Sequence, residues 1–247
     1  MSGHSKWANI KHTKGKADAA RGQVFARISK EIIMSVRSGG ANPDYNIKLK
    51  TLIAKAKENN MPNDNIARAI QRGSGQLDGV HYEELTYEGY GPGGVAIMVE
   101  VITDNRNRTA GDIRHIFDKY GGNLGETGSV NWMFAKKGVI IIDREEYPLE
   151  EDEMLMAVLE AGGEDMVVKE DVFEIYTGSS HLDTVKASLE GQFRFLLAEV
   201  SNIPNNKIQV DDEALLKLKK LLSFLNENDD VQNVYDNADY EDEDEDE

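Results

Sequence analysis

Residues 139–200 read VIIIDREEYPLEEDEMLMAVLEAGGEDMVVKEDVFEIYTGSSHLDTVKASLEGQFRFLLAEV, and the order of patterns in them decides the fold. The β-branched run at 139–143 reads as a strand. Residues 149–161 place Leu155, Val158 and Leu159 at helical spacing. Two strands follow at 166–169 and 172–176, joined at Glu170-Asp171. A helix at 181–190 turns Leu182, Val185 and Leu189 to one side, and 193–200 reads as a last strand. The order β-α-β-β-α-β is the ferredoxin-like arrangement.

Outward from this block, both flanks read as β-α-β. Upstream, Val95, Ile97, Val99 and Val101 alternate along a strand. A helix then turns Ile113, Ile116, Phe117 and Tyr120 inward and stops at Gly121-Gly122. Val130, Trp132 and Phe134 alternate after it, a pattern that predicts a strand with Trp132 and Phe134 in the core. Downstream, a short strand at 207–210 precedes a helix at 211–226 with Leu215, Leu218, Leu222 and Leu225 on one face, and 231–235 is a final strand. The economical arrangement is a discontinuous ferredoxin-like domain, 78–136 plus 203–236, hosting an inserted ferredoxin-like domain at 137–202.

Residues 1–77 have another character. Val24, Ile28, Ile32 and Val36 recur every fourth residue, with Phe25 and Ile33 widening the stripe, and Gly39-Gly40 ends the helix. Asn42-Pro43 reads as a cap and first helical position, opening a helix whose apolar face is Tyr45, Leu49, Leu52, Ile53 and Ala56. Met61-Pro62-Asn63-Asp64 opens a third helix with Ile66, Ala67 and Ile70 inward. The expected class is therefore α+β: an N-terminal three-helix domain followed by two ferredoxin-like α/β domains, one inserted in the other. Residues 237–247 end in YEDEDEDE and read as a disordered acidic tail.

Charge is distributed as unevenly as structure. The chain of 247 residues has a formal net charge of −17. Residues 1–77 carry 14 Lys and Arg against 5 Asp and Glu, a net +9, while 78–247 carry 14 against 40, a net −26. That asymmetry points to a nucleic-acid-facing head on an acidic body. The plain alternative is a solvated surface of uneven charge. There is no cysteine, which excludes disulfides, thiolate catalysis and Cys-type zinc sites. No apolar run approaches the ~20 residues of a membrane span, and the N-terminus has no secretory signal pattern. The expected location is the cytoplasm.

Catalytic signals are missing. GYGPGG at 89–94 precedes a strand and lacks the Lys-Ser/Thr of a phosphate-binding loop. His4, His12, His81, His115 and His181 are scattered, none at metal-ligand spacing. Neither HExxH nor GxSxG occurs. No catalytic residue, metal site, cofactor or small-molecule substrate is expected.

The basic residues make a better case. Lys6, Lys11, Lys14 and Lys16 lie on a glycine-interrupted arm, and Arg21, Arg27 and Lys30 follow on the first helix. Such cations neutralise phosphates and release counterions, giving salt-dependent affinity with little reading of sequence. Trp7 and His12 sit among them. Rings in that setting suit stacking on unpaired bases, while Trp7 equally suits docking of the arm onto the bundle. A second cluster is Arg106, Arg108 and Arg114, where a strand runs into a helix N-terminus, a place that favours phosphate. The alternative for these arginines is pairing with the acidic body.

GHSKWANIKHTKGKADAARGQVFARISKEI, NNMPNDNIARAIQRG, YEGYGPGGVA, DNRNRTAGDIRHIF and GSVNWMF closely resemble the YebC family, over residues 3 to about 239. The resemblance implies a three-domain cytoplasmic protein without known enzymatic activity that binds nucleic acid in the regulation of gene expression. Bacterial members are labelled probable transcriptional regulatory proteins, which implies DNA. The mitochondrial relative is a translational activator of cytochrome oxidase subunit I, which implies the ribosome and ribosomal RNA, with relief of stalled translation, as the alternative. On either reading, replacing Lys6, Lys11, Lys14 and Lys16 with Ala should weaken nucleic-acid binding and flatten its salt slope. Unchanged binding by that variant at low and moderate salt would remove the arm from the interface.

Overall fold

Ile28, Ile32, Ile33 and Val36 are buried along one side of α1 (Ala19–Gly39), and their four-residue spacing is why this stretch is a helix that packs. The computed structural model describes residues 19–77 and 80–240. The expected basic arm and the acidic end of the tail, at 241–247, lie outside the described residues. Helix α2 (Ile47–Glu58) is capped by Asn46, whose Oδ1 accepts from Leu49 N at 3.0 Å. The Asn46 Nδ2 donates to Ser35 O and Gly40 O, so one buried side chain closes the end of α1 and opens α2. The helix therefore starts four residues later than Asn42-Pro43 predicts. Tyr45 falls outside it and is 86% exposed instead of in the core. Helix α3 (Asn63–Gly73) buries Ile66 and Ala69 against this bundle, with Ala67 turned outward.

Strands β1 (Glu83–Tyr90) and β2 (Ala96–Thr103) form an antiparallel hairpin, Glu83 opposite Thr103 and Tyr90 opposite Ala96. GYGPGG is its turn. Gly93 and Gly94 adopt φ of +71° and +76°, which side chains rarely tolerate, and this accounts for the glycines without any phosphate. Helix α4 (Arg106–Lys119) crosses back with Ile113 and Phe117 buried, and leads to the two-residue β3 (Asn123–Leu124).

The segment predicted as a strand at Val130–Phe134 is not one. Glu88, only 2% exposed, accepts backbone N–H bonds from Gly128, Val130 and Asn131, each 2.8 Å long. Those donors are thereby withheld from any ladder. The chain makes a short 3-10 turn at Asn131–Met133, and Trp132, predicted in the core, is 66% exposed.

Residues Trp132–Ile208 belong to one compact unit; the described parts of Asn9–Asn131 and Gln209–Tyr240 belong to the other. The first contains β4 (Phe134–Asp143), α5 (Glu151–Glu160), β5 (Asp165–Val168), β6 (Val172–Gly178), α6 (Leu182–Leu189) and β7 (Leu197–Pro204). Its sheet order is β5-β6-β4-β7, with every pair antiparallel, which is the ferredoxin-like topology. Met154 and Val158 of α5 and Val185 and Leu189 of α6 pack on Ile140, Ile142, Phe173 and Ile175. Leu159, predicted inward, is exposed, and Met154 takes the buried position. The last strand begins later than predicted because Phe193 turns into the core, edge-on to Tyr147, before extended pairing starts.

Strand β8 (Ile208–Gln209), where the chain passes from one unit to the other, pairs with β10 (Ala238–Asp239), so residues 238–239, expected in a disordered tail, form a strand instead. Helix α7 (Asp212–Glu227) buries Leu218, Leu221, Leu222 and Leu225 and leads to β9 (Val231–Asp236). The main sheet runs β3-β1-β2-β9. This is the ferredoxin-like spatial order with one connection changed: the strand between β3 and β2 comes from upstream, as β1. Both sheets follow the helical bundle in sequence, so the fold class is α+β as the patterns predict.

Asp230, at the turn into β9, ties the bundle to this sheet. Its carboxylate is 9% exposed. Oδ1 accepts from Lys30 Nζ of α1 at 2.8 Å, and Oδ2 from Arg108 Nη2 and Thr109 Oγ1 of α4, both at 2.7 Å, and Thr103 Oγ1 at 3.1 Å. Burial raises its pKa, but the bonds from Lys30, Arg108 and Thr109 outweigh burial and hold it at about 2. A carboxylate depressed in the folded state contributes stability above its unfolded value and loses it as pH falls through the folded one. The window is therefore about pH 4 to 2, and the contribution about 2 kcal/mol. Asp230→Asn should cost roughly 3–5 kcal/mol at pH 7, because it leaves Lys30 buried without a counter-charge. Urea unfolding at neutral pH and near the low end of that window checks this, and an equal deficit at both would contradict it.

Glu88 gives a second test. Burial raises its pKa, but the three backbone N–H bonds together lower it below the usual carboxylate range. Glu88→Gln, which turns an amide NH₂ toward those donors, should cost roughly 1–3 kcal/mol in the same assay. The deficit should fade in acid.

Candidate nucleic-acid interface

Of the twelve residues expected at the interface, Lys6, Trp7, Lys11, His12, Lys14 and Lys16 lie outside the described residues. The other six fall on two helices, Arg21, Arg27 and Lys30 on α1 and Arg106, Arg108 and Arg114 on α4.

Three of these six are engaged inside their own unit. The Lys30 Nζ donates to Asp230 Oδ1, Asp229 O and Ile102 O, which uses all three ammonium protons, and its side chain is 12% exposed. Arg27 Nη2 donates to Asn226 O, and Gln23 Nε2 donates to Glu227 O at 2.7 Å. Both acceptors sit in the last turn of α7, where unpaired carbonyls carry the negative end of the helix dipole and favour a cation. Burial lowers the pKa of Arg27, while Asp229 and Glu31 act to raise it. Arg108 pairs with Asp230 at 2.7 Å and Asp104 at 2.8 Å, and hydrogen bonds to these two carboxylates raise its pKa further. For Arg108, pairing with the acidic body is thus what the side chain does.

Arg106 and Arg114 are different. Both are exposed, and neither makes an ion pair among the described residues. Their helix is fixed at its start by Asn105, whose Oδ1 accepts from Arg108 N at 3.1 Å, and by Thr103 Oγ1, which accepts from Asn105 N at 2.9 Å. Tyr87 OH donates to Arg106 O. Arg21 is exposed near the start of α1.

The bundle carries further cations. Lys50, Lys57 and Arg68 are exposed. Lys48 faces Glu84 at 3.8 Å with both side chains more than half exposed, a pair of little energetic weight, and Lys55 pairs with Glu31 at 3.3 Å. Nothing in the sequence points to Asp230 as the partner of Lys30 and Arg108, which lie 200 and 122 residues away. Among the described residues, no helix is long and apolar enough to cross a membrane, and no group of three His, Asp or Glu side chains could hold a metal ion.

With the geometry established, comparison with known proteins fixes the family. Residues 5–76 match the TACO1/YebC protein N-terminal domain, and residues 82–238 match the TACO1/YebC second and third domain. A "Probable transcriptional regulatory protein" of Clostridium tetani is 53% identical over 244 residues, covering 98% of this chain and 99% of that one. A protein of the same name from Desulforamulus reducens is also 53% identical, over 98% of this chain and 100% of its own. The crystal structure of a conserved hypothetical protein from Aquifex aeolicus superposes with a TM-score of 0.85 at 44% identity, covering 94% of this chain and 96% of that chain. The domain matches, the full-length relatives and the shared fold agree: the chain belongs to the TACO1/YebC family.

Proposed function

We propose that this protein is a non-enzymatic, nucleic-acid-binding regulator of gene expression that acts on DNA in the cytoplasm. The observation that carries the reading is the pair Arg106 and Arg114, exposed and without a carboxylate partner among the described residues of a chain with a net charge of −17. Unpaired arginines in an acidic surround select a polyanion. The arm residues Lys6, Trp7, Lys11, His12, Lys14 and Lys16 would add cations and rings from the preceding sequence. The regulatory names of the relatives support transcription and a non-catalytic role. A second reading, contact with ribosomal RNA and relief of stalled translation, rests on Trp7 and His12, whose rings suit unpaired bases better than a closed duplex.

Phosphate contacts position a protein without specifying sequence. Replacing Arg106 and Arg114 together with Ala should therefore weaken duplex DNA binding about equally across sequences. It should also reduce the salt slope by about 2, near one per lost phosphate contact. Fluorescence anisotropy across a salt series measures both, and an unchanged slope removes α4 from the interface. Crosslinking in cells followed by sequencing separates the two readings: promoter DNA supports transcription, and ribosomal RNA overturns it in favour of translation.

A further inference from the structure

The sheet β5-β6-β4-β7 is covered on one face by α5 and α6, whose side chains pack on Ile140, Ile142, Phe173 and Ile175. Side chains alternate along a strand, so Val139 and Ile141 of β4 and Val172 and Tyr176 of β6 point the other way. These four are buried as well, together with Ile203 of β7. Among the described residues, the half-buried apolar side chains packed against them are Val167 of β5, Leu197 at the start of β7 and Leu196 just before it. Neighbours within a sheet fill the gaps between side chains but do not roof them. A face buried to this degree has a roof, and α5 and α6 cannot supply it from the opposite side.

Glu174 defines what the roof carries. It stands on this face between Val167 of β5 and Ile141 of β4, and it is 0% exposed. Its Oε2 accepts from Tyr176 OH at 3.1 Å, while its buried Oε1 has no hydrogen-bond partner among the described residues. A carboxylate oxygen withdrawn from water without a donor costs free energy that a cation recovers. Asp143, Asp165 and Glu199 lie on the same face, against one lysine, Lys137, whose ammonium pairs with Glu164 at 2.5 Å. The occupant therefore has to bring positive charge and apolar surface together.

The segments outside the described residues are 1–18, 78–79 and 241–247. The last reads EDEDEDE, which this face would repel, and Asp78-Gly79 has neither a cation nor an apolar side chain. Residues 1–8, MSGHSKWA, hold Lys6 and no acid, with Trp7 beside it. Fully extended they span at most about 28 Å, against a width of about 15 Å for a four-stranded sheet. We propose that residues 1–8 of this chain form the roof, with Trp7 resting on Val139 and Ile141 and the flexible Lys6 side chain bringing its ammonium to Glu174 Oε1. Lys6 held there is withheld from phosphate, so the sheet and nucleic acid compete for the start of the arm. The docking itself does not depend on the nucleic-acid reading.

The test uses the full-length chain carrying Trp132→Phe, which leaves Trp7 as its one indole, with no nucleic acid present. Trp7 emission should be blue-shifted and shielded from acrylamide. Glu174→Gln and Lys6→Glu, each alone, should raise quenching severalfold, toward its level in urea. Glu174→Gln should also lower the thermal midpoint, because it takes the counter-charge from a buried lysine; an unoccupied site would instead gain from losing an unpaired carboxylate. A Trp7 open to quencher in the parent chain, or one whose shielding survives either substitution, overturns the proposal, and so does a raised midpoint for Glu174→Gln. If Glu174→Gln fails to fold, Lys6→Glu, outside the sheet, decides by the same measurement. Shielding that appears only at high protein concentration assigns the site to the arm of a second copy and overturns docking within one chain. Nucleic-acid binding is measured separately, so failure here leaves that reading standing.

Discussion

A carboxylate withdrawn from water must be met by cations and hydrogen-bond donors, and Asp230 is met from three directions. Lys30 arrives from the bundle, Arg108 and Thr109 from α4, and Thr103 from the end of β2. Each partner is far from Asp230 in sequence, so the constraint acts on tertiary structure. It sets which face of α1 turns toward the sheet, and it holds the start of α4 against the turn before β9. The same placement brings Arg27 and Gln23 to the carbonyl end of α7. Lys30 and Arg27 of α1 are thereby committed to building the unit.

How far the fold was legible follows from how locally each element is determined. Strand β2 could be read because Ile97, Val99 and Val101 alternate and are buried. The inserted sheet could be read because strand and helix patterns succeed one another in the ferredoxin-like order. Strand β1 could not: EELTYEGY offers only Leu85 and Tyr87 in alternation, too short a pattern to mark a strand without its pairing to β2. Its absence from the sequence reading left a place in the sheet that Val130–Phe134 was expected to help fill. A register set by cross-strand bonds and a carboxylate 40 residues away leaves no periodic trace.

The candidate site shows the same division at the level of charge. Counting cations could not separate Arg108 from Arg106 and Arg114, since all three lie within nine residues of one motif. What separates them is a carboxylate contributed from near the other end of the chain. A helix's intrinsic pattern tells which side chains face out; only the folded neighbours tell which of those remain uncompensated.

The ends of the inserted unit have a consequence of their own. Asn205 N donates to Met133 O at 2.8 Å, and Phe134 is paired with Pro204 at the start of the ladder, so the outgoing and returning chains run side by side. Just before the departure, Glu88 grips the backbone of Val130 and Asn131. The inserted unit thus holds its own two ends side by side, by bonds that belong to it alone. Ends that lie together are what let one domain sit in the chain of another without stretching either.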